Sequence, residues 1–313
     1  LGNLTCNPGI IYDLFINNPA ANIDHRFTTR DEVMAELGRI LGPGCDISVE
    51  LNNPFEPDFS KIVEEAEFFA ELLGRDRVVI KVPHTGPVNA ENVGQLLTGD
   101  GRLATRYWQP ATADALRGHA LTLKLTELGF RINYTLMFEP YQTQLALQAR
   151  PYFINSFIRH RLMQSRALAD LLARYDANDQ SAGPLLRDYL LRNDYLASTD
   201  TEFDIAGAVQ RARDVVKYRN LGNPEGADGL DGVRHNLRLL RNANLPDTRL
   251  IICSMEGDWN YPDIDRLLAS DEFCDMADRV VVTAEPGYLA RFTSTNQVIS
   301  YQRRFMKAAQ GQR

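Results

Sequence analysis

The feature that most limits the fold of this chain is an alternation running along most of its 313 residues. Seven short apolar runs read as strands: Leu1–Asn7, Cys45–Leu51, Arg77–Val82, Arg131–Phe138, Tyr152–Ile158, Arg249–Ser254 and Asp278–Thr283. Amphipathic stretches lie between them, among them Phe59–Leu73 and Ala111–Leu128, with apolar residues at helical spacing. Near-continuous hydrophobic strands separated by helices predict a parallel sheet covered on its faces. The pattern predicts a (β/α)8 TIM barrel. Only seven strands can be counted, and strand-like residues begin at Leu1, so the barrel's first strand is expected to be absent from this sequence.

One departure interrupts the alternation. From about residue 161 to 247 the pattern is helical (Leu162–Tyr175, Gly183–Leu191, Ile205–Tyr218 and Gly232–Asn242), with a glycine- and asparagine-rich loop at Asn223–Gly232. This stretch reads as a large helical insertion in a single barrel domain spanning residues 1–292, and 293–313 reads as a helical tail. No G-x-x-x-x-G-K-[ST] phosphate loop is present, and no G-x-G-x-x-G follows a strand.

Composition narrows the function. A net charge of −7, with arginines spread along the chain, argues against a nucleic-acid surface. No apolar run approaches the ~18 residues that span a bilayer. Cys6, Cys45, Cys253 and Cys274 lie far apart without C-x-x-C spacing, which excludes standard zinc and redox motifs and suits a reducing, cytoplasmic compartment. They read as core residues. The expected partners are small molecules, with neither nucleic acid nor membrane.

Within this frame one residue stands out. Lys81 lies in the run Val78-Val79-Ile80-Lys81-Val82-Pro83, and the chain has only five lysines. A buried ammonium is costly unless it finds a partner or sheds its proton, and a desolvated amine is a nucleophile toward carbonyls. The alternative for the hexapeptide alone is a strand-end lysine that reaches water. Other polar residues gather at the C-terminal strand ends, where barrels of this type do their chemistry. They are Asn7, Glu50, Asn133 with Thr135, and Ser254. Alternation sends Asn133 and Thr135 to the same side of their strand. An amine, a carboxylate, hydroxyls and amides converging at one mouth make a site-like set.

These residues resemble the transaldolase family. Its elements appear here in order as Thr5-Cys6-Asn7-Pro8, Val49-Glu50, Ile80-Lys81-Val82-Pro83, Asn133-Tyr134-Thr135-Leu136-Met137-Phe138 with Gln142 following, and Cys253-Ser254-Met255. The resemblance covers roughly residues 1–160 and 245–292, and the helical region between has no recognised counterpart. It implies that Lys81 forms a Schiff base with a ketose, and that Glu50 and Thr135 position a proton-shuttling water. Asn7 and Asn133 would hold hydroxyls of a three-carbon dihydroxyacetone unit, and Ser254 would contact the donor. No metal or organic cofactor is required. The family's acid/base aspartate is expected upstream of Leu1, and Asp13 is not its counterpart.

The phosphate end departs from the family pattern. Where one phosphate-binding arginine is expected, the sequence reads Asn155-Ser156-Phe157-Ile158-Arg159-His160, with His160 at the arginine position and Arg159 and Arg161 flanking it. Where the second is expected it reads Ser254-Met255-Glu256. A carboxylate ~6 Å from a phosphate dianion is repelled by roughly 5 kcal/mol at an effective dielectric near 20. Arg159, His160 and Glu256 are therefore candidates for an altered substrate end. The expected activity is transfer of a dihydroxyacetone unit with changed phosphate-end recognition. The alternatives are a simple class I aldolase acting on a ketose and a catalytically silent barrel that binds a sugar or a protein. The helical insertion has three readings: a cover over the altered end, an oligomer surface such as a homodimer would use, or mere elaboration. His84, Trp108 and Trp259 also have two readings, pocket lining or ordinary packing.

Overall fold

Seven strands, each the neighbour in space of the next in sequence, form one parallel sheet in the order β1 to β7. The computed structural model describes residues 2–86, 116–196, 204–253, 260–284 and 296–310. In chain order the elements are β1 (Asn3–Cys6), α1 (Pro8–Ile11), α2 (Arg30–Leu41), β2 (Asp46–Glu50), α3 (Phe59–Leu73), β3 (Val78–Pro83), α4 (Arg117–Glu127), β4 (Arg131–Thr135), α5 (Pro140–Ala146) and β5 (Phe153–Phe157). They continue with α6 (His160–Asp176), α7 (Ala182–Arg192), α8 (Ile205–Arg219), α9 (Asp231–Asn242), β6 (Arg249–Cys253), α10 (Tyr261–Leu268), β7 (Val280–Val282) and α11 (Asn296–Ala309). The fold is an α/β barrel of seven parallel strands, with β1 and β7 as the outermost pair in the ladder. Each of the seven predicted strands has an observed counterpart. Part of the predicted helix Ala111–Leu128 lies outside the described residues, and the rest is α4.

Strand alternation separates two cores. Ile47, Val49, Val78, Ile80, Val82, Ile132, Tyr134, Ile154, Leu250 and Ile252 pack outward against helix residues such as Ile62, Phe69, Leu125, Leu237 and Ile264. Val79, Phe153, Ile251 and Cys253 form a smaller cluster on the opposite, inward face. The helices are placed by local signals. Thr29 and Glu32 make a reciprocal capping box at the start of α2, and Asp58 caps α3 through the Ser60 amide. Gly118 lets α4 approach the end of β3, because a Cβ there would sit 2.1 Å from the Pro83 carbonyl oxygen.

The helical stretch divides in two. Helices α6, α7 and α8 share their own core of Leu168, Leu172, Leu186, Leu190, Ala208 and Ala212. Helix α9 instead packs Val233, Leu237 and Leu240 onto the barrel's outer core. Helices α6, α7 and α8 thus form a three-helix unit with its own core, and α9 packs on the barrel ahead of β6. Cys6, Cys45 and Cys253 are buried free thiols as expected, but Cys274 is exposed, because the 3₁₀ turn it opens sends Phe273 and Met276 into the core instead. Residues Asn296–Ala309 are helical as α11, whose Tyr301, Phe305 and Met306 face solvent. Among the described residues no helix is long and apolar enough to cross a membrane.

Candidate active site

Lys81 is 8% exposed and points inward with its β3 neighbours Val79 and Pro83. Its Nζ lies 3.0 Å from Glu50 Oε2 across the β2–β3 ladder, where Glu50 and Lys81 are direct register partners. On the other side Lys81 is in register with Asn133 of β4, and Thr135 lies one inward step further along, opposite Pro83. The amine, the carboxylate, the amide and the hydroxyl expected at the mouth are thus brought together on three adjacent strands.

Beneath the lysine runs a polar belt that the sequence reading missed. The Cys253 thiol donates to Asn155 Oδ1 (3.0 Å), and Asn155 Nδ2 donates to Asn133 Oδ1 (2.5 Å). Asn133 Nδ2 donates to Ser48 Oγ (3.0 Å), and Ser48 donates to Asn3 Oδ1 (3.1 Å). Asn155 also reaches the Tyr134 carbonyl. Asn133 is fully buried with both ends of its amide engaged. Its inward parity was legible, but its partners are not, since they lie 22 and 85 residues away.

The thiols near the lysine are poor rivals for the role of nucleophile. Burial pushes Cys6 up to about 11, with the Lys81 and Arg30 charges pulling the other way. Cys253 is likewise raised to about 11 by burial. Both stay protonated at neutral pH, and the thiolate is the reactive form. Among the described residues no three His, Cys, Asp or Glu side chains form a metal-holding group.

Glu50 is held from outside the barrel by Arg30, the first residue of α2. Arg30 Nη1 donates to the Glu50 carbonyl (3.1 Å), its Nη2 pairs with Glu65 of α3 (2.8 Å), and its guanidinium lies 4.6 Å from the Phe69 ring centre. Glu65 in turn accepts from the Asn52 amide (3.0 Å). Arg30→Ala should cost about 3 kcal/mol in chemical denaturation, because it strands a partly buried Glu65. Arg30→Lys should recover little of that, since one ammonium cannot replace a planar fork.

Gln142, noted only as a family feature in the sequence, shapes the loop after β4. Its Oε1 accepts from the Phe138 and Glu139 amides (2.8 Å each), and its Nε2 donates to the Leu136 carbonyl (3.2 Å). Leu136 has φ +57°, a conformation that costs a non-glycine residue about 1–2 kcal/mol, so the three bonds hold a strained turn. That turn ends β4 at Thr135, short of the predicted Phe138.

The remaining candidates are placed as follows. Asn7 Oδ1 caps α1 by accepting from the Ile10 amide (2.7 Å). Arg159, with φ +63°, is buried and turned toward α10, where it bonds Asn260 and Asp263 and donates from Nε to the Asp228 carbonyl (2.9 Å). His160 opens α6 and packs on Phe138, with ring centres 4.8 Å apart. Ser254, Glu256, Trp108 and Trp259 lie outside the described residues.

His84 packs on the helix side of the sheet. Its ring meets Tyr134 edge-on at 5.0 Å and His119 at 6.3 Å, and neither ring nitrogen has a hydrogen-bond partner among the described residues. Burial, helped by His119, lowers its pKa to about 4. In the unfolded chain the imidazole titrates near 6.5, so the unfolded state binds the extra proton first. Stability should therefore fall as pH drops from about 6.5 to about 4, by up to about 3 kcal/mol, and level off below. Denaturation midpoints across that range should show a flatter profile for His84→Leu, and an unchanged profile would refute the assignment.

A cleft of about 440 Å³ lined by Arg131, Arg150, Tyr152 and Asn244 opens at the opposite, N-terminal end of β4, β5 and β6. Chemistry in these barrels belongs to the C-terminal end, so this cleft is not assigned to the reaction.

A lysine beside a carboxylate in the mouth of a parallel α/β barrel is the arrangement of aldolase-type enzymes that work through a lysine imine. Comparison with protein families agrees. Residues 2–188, more than half of the chain, match the family described as transaldolase/fructose-6-phosphate aldolase, and the chain belongs to that family. The match runs through α6 into α7, past residue 160 where the motif resemblance stops, so part of the helical unit is within it. It ends before β6, so the family comparison leaves Ser254 and Glu256 without support. Among curated proteins none matches the chain.

Proposed function

We propose that this enzyme transfers a dihydroxyacetone unit from a ketose to an aldehyde through a Schiff base on Lys81, with recognition altered at the end where relatives bind phosphate. The observation that carries the reading is the 3.0 Å Lys81–Glu50 pair, 8% exposed at the lysine and in register with Asn133. Glu50 takes a proton from the ammonium, and the free amine attacks the ketose carbonyl. The carbinolamine loses water to give an iminium, with Glu50 and Thr135 ordering the water that shuttles the protons. The iminium accepts the electron pair of the C3–C4 bond as that bond breaks and the C4 hydroxyl gives its proton to a base, releasing an aldehyde and leaving an enamine. The enamine adds to a second aldehyde, whose oxygen takes the proton back from the same group, and hydrolysis of the new iminium by water releases the ketose and returns the lysine.

Asn7 is assigned to a hydroxyl of the three-carbon unit through its amide nitrogen, since its Oδ1 already caps α1. Asn133 is assigned to the same unit through its second amide proton, with the belt fixing its orientation. Ser254 and Glu256 are assigned to the donor and its far end on sequence alone. A simple aldolase is the second reading, and the carboxylate at position 50 favours transfer.

The test is borohydride reduction of the full-length protein with a panel of phosphorylated and free ketoses, followed by intact mass and peptide mapping. A three-carbon adduct on Lys81 is expected. Release of free dihydroxyacetone in the presence of an acceptor aldehyde would favour the aldolase. No adduct with any ketose would sink both and leave the silent barrel.

A further inference from the structure

On the β4–β5 side of the mouth an aromatic wall rises from the barrel interior. Phe157 continues the inward series Phe153, Asn155, Phe157 and packs with the interior cluster. Phe138 stacks on it at 4.5 Å with planes 22° apart, and His160 covers Phe138 at 4.8 Å. All three rings keep partial exposure.

The charges behind this wall cancel. Glu139, next to Phe138, lies 2.8 Å from Arg161 Nε, and Arg161, next to His160, also pairs with Asp231 at 3.0 Å. Arg219, from the end of α8 in the three-helix unit, pairs with Glu139 at 3.1 Å. Two arginines thus face two carboxylates. Arg159, a further cation of this rim, is paired with Asp263. Among the described residues a phosphate arriving here meets no net positive field, and it would have to break a partly buried pair to gain one of these cations, which is costly.

We propose that this wall receives the end of the acceptor aldehyde remote from its carbonyl, and that it selects an uncharged tail with an apolar face over a phosphate. The inference rests on the Schiff-base reading above and names the substrate class for it. The network also gives the three-helix unit a task. Through Arg219 and Glu139 it holds the backbone that presents Phe138, while Arg161 holds the backbone that presents His160.

The experiment uses dihydroxyacetone as donor and three acceptors: D-glyceraldehyde 3-phosphate, D-glyceraldehyde and phenylacetaldehyde. Loading of Lys81 by dihydroxyacetone is read separately, by borohydride trapping and intact mass. The expected kcat/KM is at least about tenfold lower for the phosphorylated acceptor than for either neutral one. Phe138→Ala should lower the ratio of phenylacetaldehyde to glyceraldehyde turnover by about three- to tenfold. Phe138→Leu, which disturbs packing less, should move the ratio the same way. His160→Arg should shift preference toward the phosphate. If the phosphorylated acceptor is the best of the three, or neither Phe138 variant changes the ratio, the inference falls while the adduct stands. Absence of the adduct overturns it together with the reading beneath it.

Discussion

Lys81→Arg is expected to abolish turnover and borohydride trapping while leaving the fold intact. The guanidinium keeps a positive charge beside Glu50, so the pair across β2 and β3 survives in a new geometry. What is lost is the ability to shed a proton and attack a carbonyl, because a guanidinium remains protonated in proteins. Removing a nucleophile of this kind costs at least about four orders of magnitude in rate. Lys81→Ala should be equally inactive but less stable, since it leaves the Glu50 carboxylate without its cation. The penalty should be moderated by water, because the Glu50 side chain is 19% exposed. Adding Glu50→Gln to Lys81→Ala should recover part of the stability and none of the activity. Residual turnover in Lys81→Arg, with trapping at another lysine, would end the assignment.

The second large effect concerns stability. Asn133→Leu keeps volume and shape but removes both of the residue's belt hydrogen bonds. Ser48 loses a donor and Asn155 loses an acceptor, and neither side chain has significant contact with water. Each buried group left unmatched costs about 1–3 kcal/mol, so a loss of about 2–5 kcal/mol is expected. It should appear as a lower urea midpoint with an unchanged m-value. Asn155→Leu in the same background should add less than it costs alone, since the two residues share one bond. A loss below about 1 kcal/mol would show that the belt holds nothing together.

Much of the architecture was legible. Apolar runs of six to eight residues between amphipathic segments carry their own physical signature, and each of the seven has a strand in the sheet. Phe59–Leu73 was read with the bounds it has, because its apolar spacing and the Asp58 cap are both local. The β4 terminus was read three residues too long. Leu136, Met137 and Phe138 are apolar, yet the turn at Leu136 is held by Gln142, six residues on in sequence. The division of the helical stretch was also hidden. Helices α8 and α9 both carry apolar residues at helical spacing, and only packing assigns one to the three-helix core and the other to the barrel.

The site was legible as residue types and parities. Lys81, Glu50, Asn133 and Thr135 could be placed at strand ends, and two-residue alternation put Asn133 and Thr135 on one side. Arg159 could be noticed as a cation near the mouth. Its engagement with Asn260 and Asp263 joins positions more than a hundred residues apart, which no local pattern encodes.

The sequence by itself determined that Lys81 shares a strand face with Val79 and Pro83, because side-chain alternation is a property of each strand alone. Tertiary structure decided that this face is the barrel's interior and that the lysine's register partners are Glu50 and Asn133. Register is set by packing the outward Ile, Val and Leu side chains under helices far away in the chain, and a shift of one residue would have turned the amine to the other face.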